Sequence, residues 1–173
     1  MALVYVSIGS NINRYKHISA SLDELSSRFG ELILSSVYES VAVGFEGDHF
    51  LNLVASFQCE LSLVELAKSL RELEYAHGRL PDAPKYSSRT LDIDILTYDD
   101  VVGDSGGVSL PRAEIIQNAF VLLPLSEIAA GAMHPVEKKT YGALWQAYDK
   151  SQQRLWSVDF QWQGRVLSAA ADH

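Results

Sequence analysis

Hydrophobic and polar positions along the chain follow two different periods, and the switches between them mark out its elements. Leu3, Val4, Tyr5, Val6 and Ile8 form a β-rich opening that ends in Gly9-Ser10-Asn11, a turn leading into a helix. Ile18, Leu22, Leu25 and Phe29 then recur at helical spacing with Gly30 as a stop, which predicts an amphipathic helix over 14–29. Residues 32–40 and 50–60 return to a β pattern on either side of a loop, Val43 to His49, that carries two glycines. Ser62 and Glu65 have capping-box spacing ahead of Leu63, Leu66, Ala67, Leu70 and Leu73, predicting a second helix that ends near Gly78. After a proline-containing loop over 80–88, a fourth strand follows. The order strand, helix, strand, strand, helix, strand predicts an α+β fold with a ferredoxin-like βαββαβ core, two helices over a mainly antiparallel sheet. Residues 113–131 and 140–150 read as additional C-terminal helices. Residues 154–163 read as a late strand that could pair with a sheet edge or with another subunit.

Strand parity then singles out candidate chemistry. In Arg89-Thr90-Leu91-Asp92-Ile93-Asp94-Ile95, the apolar Leu91, Ile93 and Ile95 face a core, so Asp92 and Asp94 share the opposite face. Two carboxylates aimed the same way repel each other unless a proton or cation lies between them, and a hard divalent ion with oxygen ligands, such as Mg²⁺, suits them. The spacing by itself also fits a solvated acidic strand face, with Arg89 as a salt-bridge partner; alternatively Arg89 offers a fork for phosphate oxygens. Phe50 and Asn52 lie on one face of the third strand, opposite Leu51, Leu53, Ala55 and Phe57. An aromatic beside an amide suits a flat heterocycle, stacked and read at its edge, or else an aromatic packed on a helix with a solvated Asn.

Composition narrows these readings. The 173 residues suit one domain spanning 1–173, and a formal net charge of -8 disfavours wholesale binding to nucleic acid or an anionic membrane. Any polyanion bound must be small and locally gripped. No run approaches the ~18 to 20 apolar residues of a membrane span, and the N-terminus lacks the pattern of a signal peptide, so a cytoplasmic protein is expected. The single cysteine, Cys59, reads as a buried inert thiol, and the five histidines lack zinc-ligand spacing. Asp99, Asp100 and Asp104 read as a solvated acidic turn.

Ile8-Gly9-Ser10-Asn11, Phe50-Leu51-Asn52, Leu73-Glu74 with Gly78-Arg79, the Arg89-to-Ile95 segment, and Leu110-Pro111 with Phe120-Val121-Leu122-Pro124-Leu125 together resemble the 6-hydroxymethyl-7,8-dihydropterin pyrophosphokinase family, in order over roughly residues 3–130. The resemblance implies a ferredoxin-like fold and transfer of the β,γ-pyrophosphoryl group of ATP to the pterin hydroxymethyl group, releasing AMP, in folate biosynthesis. It implies that Asp92 and Asp94 hold two Mg²⁺ ions and that Arg79 and Arg89 grip phosphate oxygens, giving a catalytic set of Arg79, Arg89, Asp92 and Asp94. The pterin is expected between Phe50 and Phe120, with Asn52 at its polar edge, Ser40 and Val43 nearby, and the 43–49 loop as a wall. The nucleotide side is expected to draw on Arg71, Glu74, Arg79, Arg89, Ser109 and Arg112. Partners are therefore ATP and the hydroxymethyl dihydropterin, with a monomer or homodimer expected.

Departures from the family pattern fall mostly on the nucleotide side. Tyr86-Ser87-Ser88 stands where the family usually has Trp-Gly-Pro, Pro81 where an arginine is frequent, Arg112 in place of a histidine, and Gly107 and Asn118 at basic positions. Each lost charged hydrogen bond is worth ~1.5 to 3 kcal/mol unless Arg71 or Arg112 compensates. Two alternatives follow: a pterin-binding or regulatory protein with impaired ATP use, or a pyrophosphokinase for a related pterin.

Overall fold

The computed structural model describes residues 1–79, 82 and 88–170. Its sheet is organised around β1 (Ala2–Ser10), whose alternating Val4, Val6 and Ile8 are fully shielded from solvent. β1 pairs antiparallel with β4 (Phe50–Cys59) on one side and β5 (Asp92–Tyr98) on the other. β2 (Ile33–Leu34) and β3 (Tyr38–Ser40) pair with β4, and with β8 (Leu155–Ser157) at the edge the order β5-β1-β4-β3-β8 makes a mixed α/β protein with an antiparallel sheet.

Helices cover both faces. α1 (Arg14–Phe29) buries Ile18, Leu22 and Leu25, and α2 (Leu63–Ala76) buries Leu66, Leu70 and Leu73, joining the core-facing residues of β1, β4 and β5. The capping box at α2 forms as expected: Glu65 N donates to Ser62 Oγ and Ser62 N to Glu65 Oε1, both at 3.2 Å. On the other face Val54 and Leu96 pack against Ile115, Val121, Leu122, Leu125 and Tyr141 of α3 (Glu114–Gln117), α4 (Ala119–Ala129) and α5 (Tyr141–Ala147).

Three elements differ from expectation. Residues 32–40 make two short strands, because Ser35 turns its hydroxyl onto Val54 N at 2.9 Å. The helix expected over 113–131 is interrupted at Asn118, whose φ of -117° and ψ of 122° are extended. The late strand is three: β8 (Leu155–Ser157), and a hairpin of β9 (Phe160–Trp162) and β10 (Arg165–Ser168) turning through Gln163 and Gly164, both with positive φ. β8 takes the sheet-edge option, pairing with β3. A further hairpin, β6 (Gly103–Ser105) and β7 (Val108–Leu110), turns through Gly106 and Gly107 and holds Asp104 in its first strand. Cys59 is buried and unpaired by any disulfide. Among the described residues no helix is long and apolar enough to cross a membrane.

Candidate active site

Strand register brings the singled-out residues together. Gly9 on β1 is the cross-strand neighbour of Asn52 on β4 and of Asp92 on β5, while Ser7 opposes Asp94. A Cβ on Gly9 would come within 3.2 Å of Asn52 Oδ1 and 3.7 Å of Phe50 Cδ1, so the absent side chain makes the room these two groups occupy. Leu91, Ile93 and Ile95 are buried, and Asp92 and Asp94 stand on the opposite face with 34% and 27% of their side chains exposed, as the alternation requires.

The acidic pair sits in a ring of countercharge. Arg79 Nη1 lies 3.3 Å from Asp92 Oδ1 and 2.7 Å from Oε2 of buried Glu74, which also accepts from Ile93 N at 2.8 Å. Arg112 bridges Asp94 (3.3 Å) and Glu114 (3.1 Å). Burial pushes the Glu74 carboxyl up to about 7, with Asp92 adding repulsion and the Ile93 N–H and Arg79 opposing it. Asp94 moves the same way, through its low-dielectric surroundings first and the charge of Asp92 second, against the pull of Arg112. The arginines therefore do not fully neutralise this acidic face.

Two cavities meet there. One, of about 170 Å³, is lined by Phe50, Asn52, Phe120, Ser40 and Val43, with Arg89, Asp92 and Asp94 at its polar end. Asn52 Nδ2 donates to buried Ser40 Oγ at 2.8 Å, which holds the side chain in place against β3. The other, of about 430 Å³, is lined by Arg71, Glu74, Arg79, Ser109 and Arg112. Asp94, Arg112 and Glu114 belong to both walls. Of the residues expected on the nucleotide side, Arg89 lies instead on the ring cavity, and so does Asn118, which stands at a basic position of the family pattern. Ser109 bonds to Asp104, and Gly107 of the β6–β7 turn lines the larger cavity. Pro81 and Tyr86 lie outside the described residues.

Several site residues carried no assignment from sequence. Asn11 clamps Arg89, accepting from Arg89 N at 2.7 Å through Oδ1 and donating its own N–H to Arg89 O at 3.0 Å. Its Nδ2 reaches Asp48 O at 3.0 Å, tying the 43–49 loop to the same point. Its place at the end of a strand was the available signal. Phe45 lines the ring cavity edge-on to Phe50, ring centroids 6.3 Å apart, and an aromatic between two glycines in a loop was its signal. Glu114 had none.

An aromatic-walled pocket opening across an acidic pair into an arginine-lined cleft defines a protein able to hold a flat ring beside an anionic group. Residues 5–130 match the family described as 7,8-dihydro-6-hydroxymethylpterin-pyrophosphokinase (HPPK). The chain is 38% identical over 143 residues to the 2-amino-4-hydroxy-6-hydroxymethyldihydropteridine pyrophosphokinase of Porphyromonas gingivalis, covering 78% of this chain and 95% of the relative. With the protein of the same name from Aquifex aeolicus it shares 34% identity over 141 residues, covering 80% and 88% of the two chains. The crystal structure of wild-type Plasmodium falciparum HPPK-DHPS has the same fold at a TM-score of 0.64 and 14% identity, matching 87% of this chain and 45% of that longer one. The chain belongs to the HPPK family.

Proposed function

We propose that this protein transfers the pyrophosphoryl group of ATP to the hydroxymethyl group of 6-hydroxymethyl-7,8-dihydropterin, releasing AMP, a step in folate synthesis. The observation that carries the reading is the junction of the two cavities at Asp94, Arg112 and Glu114, which puts a ring pocket and a polyanion cleft either side of one acidic strand. Strand order β5-β1-β4-β3 with α1 and α2 on one face supports a ferredoxin-like core for a single domain of this class.

In this reading Phe50 and Phe120 flank the pterin and Asn52, locked by Ser40, hydrogen-bonds its edge. Val43 and the 43–49 loop close the pocket. Arg79, Arg89 and Arg112 take phosphate oxygens, with Arg71, Glu74 and Ser109 lining the nucleotide cleft. The hydroxymethyl oxygen bonds to the β-phosphorus as the bond from that phosphorus to the AMP oxygen breaks, and the hydroxyl proton is lost. The chain's part is alignment and electrostatics: the strand face holds the reacting groups in line while the arginines meet the phosphate charge.

Asp92 and Asp94 are the residues that would hold Mg²⁺, two ions in this proposal. The donor set fits: both are carboxylate oxygens, and the upward shift of Asp94 marks a place where more positive charge is favourable. Among the described residues no group of three or more metal-ligating side chains occurs, which suits an ion that keeps waters and takes the rest of its ligands from phosphates. Bound there, Mg²⁺ would supply Lewis-acid charge to the phosphoryl oxygens. The proposal takes in a cytoplasmic enzyme, monomeric or homodimeric. Incubation with ATP, Mg²⁺ and the hydroxymethyl dihydropterin, followed by chromatography, should yield AMP and a diphosphorylated pterin in equal amounts; ADP, or no turnover at high enzyme concentration, contradicts it.

A further inference from the structure

We infer that Gln153 is a positioning residue of the ring pocket: it fixes which way round the Asn118 carboxamide stands, so that an N–H donor rather than an oxygen faces the bound pterin. The inference rests on the functional reading above. The backbone is extended at Asn118, between α3 and α4, and the Asn118 side chain does not cap α4. Ala119 N–H, at the start of α4, has no acceptor within the helix. Gln153 supplies one, its Oε1 accepting from Ala119 N at 2.7 Å.

That single bond sets the polarity of everything beyond it. A backbone N–H can only donate, so the Gln153 oxygen must face Ala119 and its Nε2 must face Asn118, whose Oδ1 accepts at 2.9 Å. Asn118 lines the ring cavity, and with its oxygen committed to Gln153 the polar group left for a ligand is Nδ2, a donor. Phe120, one wall of the pocket, follows immediately on the helix that Gln153 caps.

The chain on either side of Gln153 is tied to the pocket as well. Tyr148 Oη donates to Gln117 O at 2.8 Å, and β8 pairs with β3 so that Leu155 opposes Ser40, the residue that accepts from Asn52. The segment 148–157 thus reaches both the Phe120 side and the Asn52 side of the pocket. It lies beyond the residues 5–130 that match the family, so the match does not account for it.

Gln153→Glu separates the capping from the polarity. Its carboxylate still accepts from Ala119 N–H, at a helix N-terminus where negative charge is favourable, but it cannot donate to Asn118 Oδ1, and two facing acceptors turn the Asn118 amide over. Calorimetric titration of the full chain with 6-hydroxymethylpterin at pH 7.5 should show affinity reduced roughly tenfold with the melting temperature maintained. In an Asn118→Ala background the same change should alter affinity by less than about twofold, because the donor it reorients is gone. Should Gln153→Glu fail to fold, Gln153→Met removes the cap and the Nε2 donor together, and a loss of pterin affinity clearly larger with Asn118 present than in the Asn118→Ala background is then the expected result. Equal losses with and without Asn118, or no loss in either, overturn the inference while leaving the functional reading intact. A wild-type chain that binds no pterin overturns both.

Discussion

The two cavities are built by opposite means. The ring pocket has its strand side fixed by shape, with Phe120 contributed by α4: Phe50 and Asn52 project from β4, Gly9 yields space on β1, and Asn52 makes a neutral hydrogen bond to Ser40. The neighbouring cleft takes its walls from α2, β5, the β6–β7 hairpin and the start of α3, and two of its arginines, Arg79 and Arg112, are engaged with Glu74, Asp92, Asp94 and Glu114. A flat ring entering the first displaces water from a preformed slot. A polyphosphate entering the second must exchange partners with carboxylates, so its binding depends on charge as the ring's does not. One half is shape, the other is a balance of charges.

The largest effect should come where the halves meet. Asp94→Ala should lower turnover by about three orders of magnitude while hydroxymethylpterin still binds, read by single-turnover kinetics alongside calorimetry. Equal loss of pterin binding would mean that the two walls are not separable. Phe120→Ala comes next: ring affinity should fall roughly 10- to 100-fold with little change in the KM for ATP, and a matched rise in both would break the comparison. Gly9→Ala should weaken pterin binding by roughly five- to tenfold, since Asn52 must give way to a methyl group 3.2 Å from its oxygen. Unaltered affinity would show that the slot is less tight than the strand register implies.

The smallest effect lies on the cleft side, in stability. His17 Nδ1 and His77 Nδ1 are 2.8 Å apart, tying α1 to the end of α2 two residues before Arg79. Burial holds both rings below their usual 6.5; the facing ring and then Lys16 add to this at His17, while at His77 the charge of Glu24 opposes it and Lys16 adds to it. The unfolded chain therefore binds more protons as pH falls, so the contribution is complete above about 6.5 and lost below it. The melting temperature of the wild type should drop more steeply between pH 7 and 5 than that of His77→Gln; parallel curves would remove the pair from the account.

The same contrast governs what could be read from the chain. Period-2 alternation places Phe50, Asn52, Asp92 and Asp94 by local geometry alone, and the core helices follow from the spacing of Ile18, Leu22, Leu66 and Leu70. Breaks set by distant partners left no local trace. Ser35 splits a strand by bonding to Val54, and Asn118 splits a helix whose second half is capped by Gln153, 34 residues further on. Asn11 stood in a recognisable motif, yet its grip on Arg89 spans 78 residues and appears only once β1 and β5 are side by side. The cleft depended most on such contacts, and it is also where Gly107 and Arg112 depart from the family pattern, whereas Asn118 does so on the ring cavity.

The proposed function requires the two cavities to work as one site through their shared wall. Calorimetric titration of 6-hydroxymethylpterin with and without Mg²⁺ and a non-hydrolysable ATP analogue tests it most directly. Pterin affinity should be at least about fivefold higher with the nucleotide present, with no such gain in Asp94→Ala. Equal affinity in both conditions for the wild-type chain would contradict it.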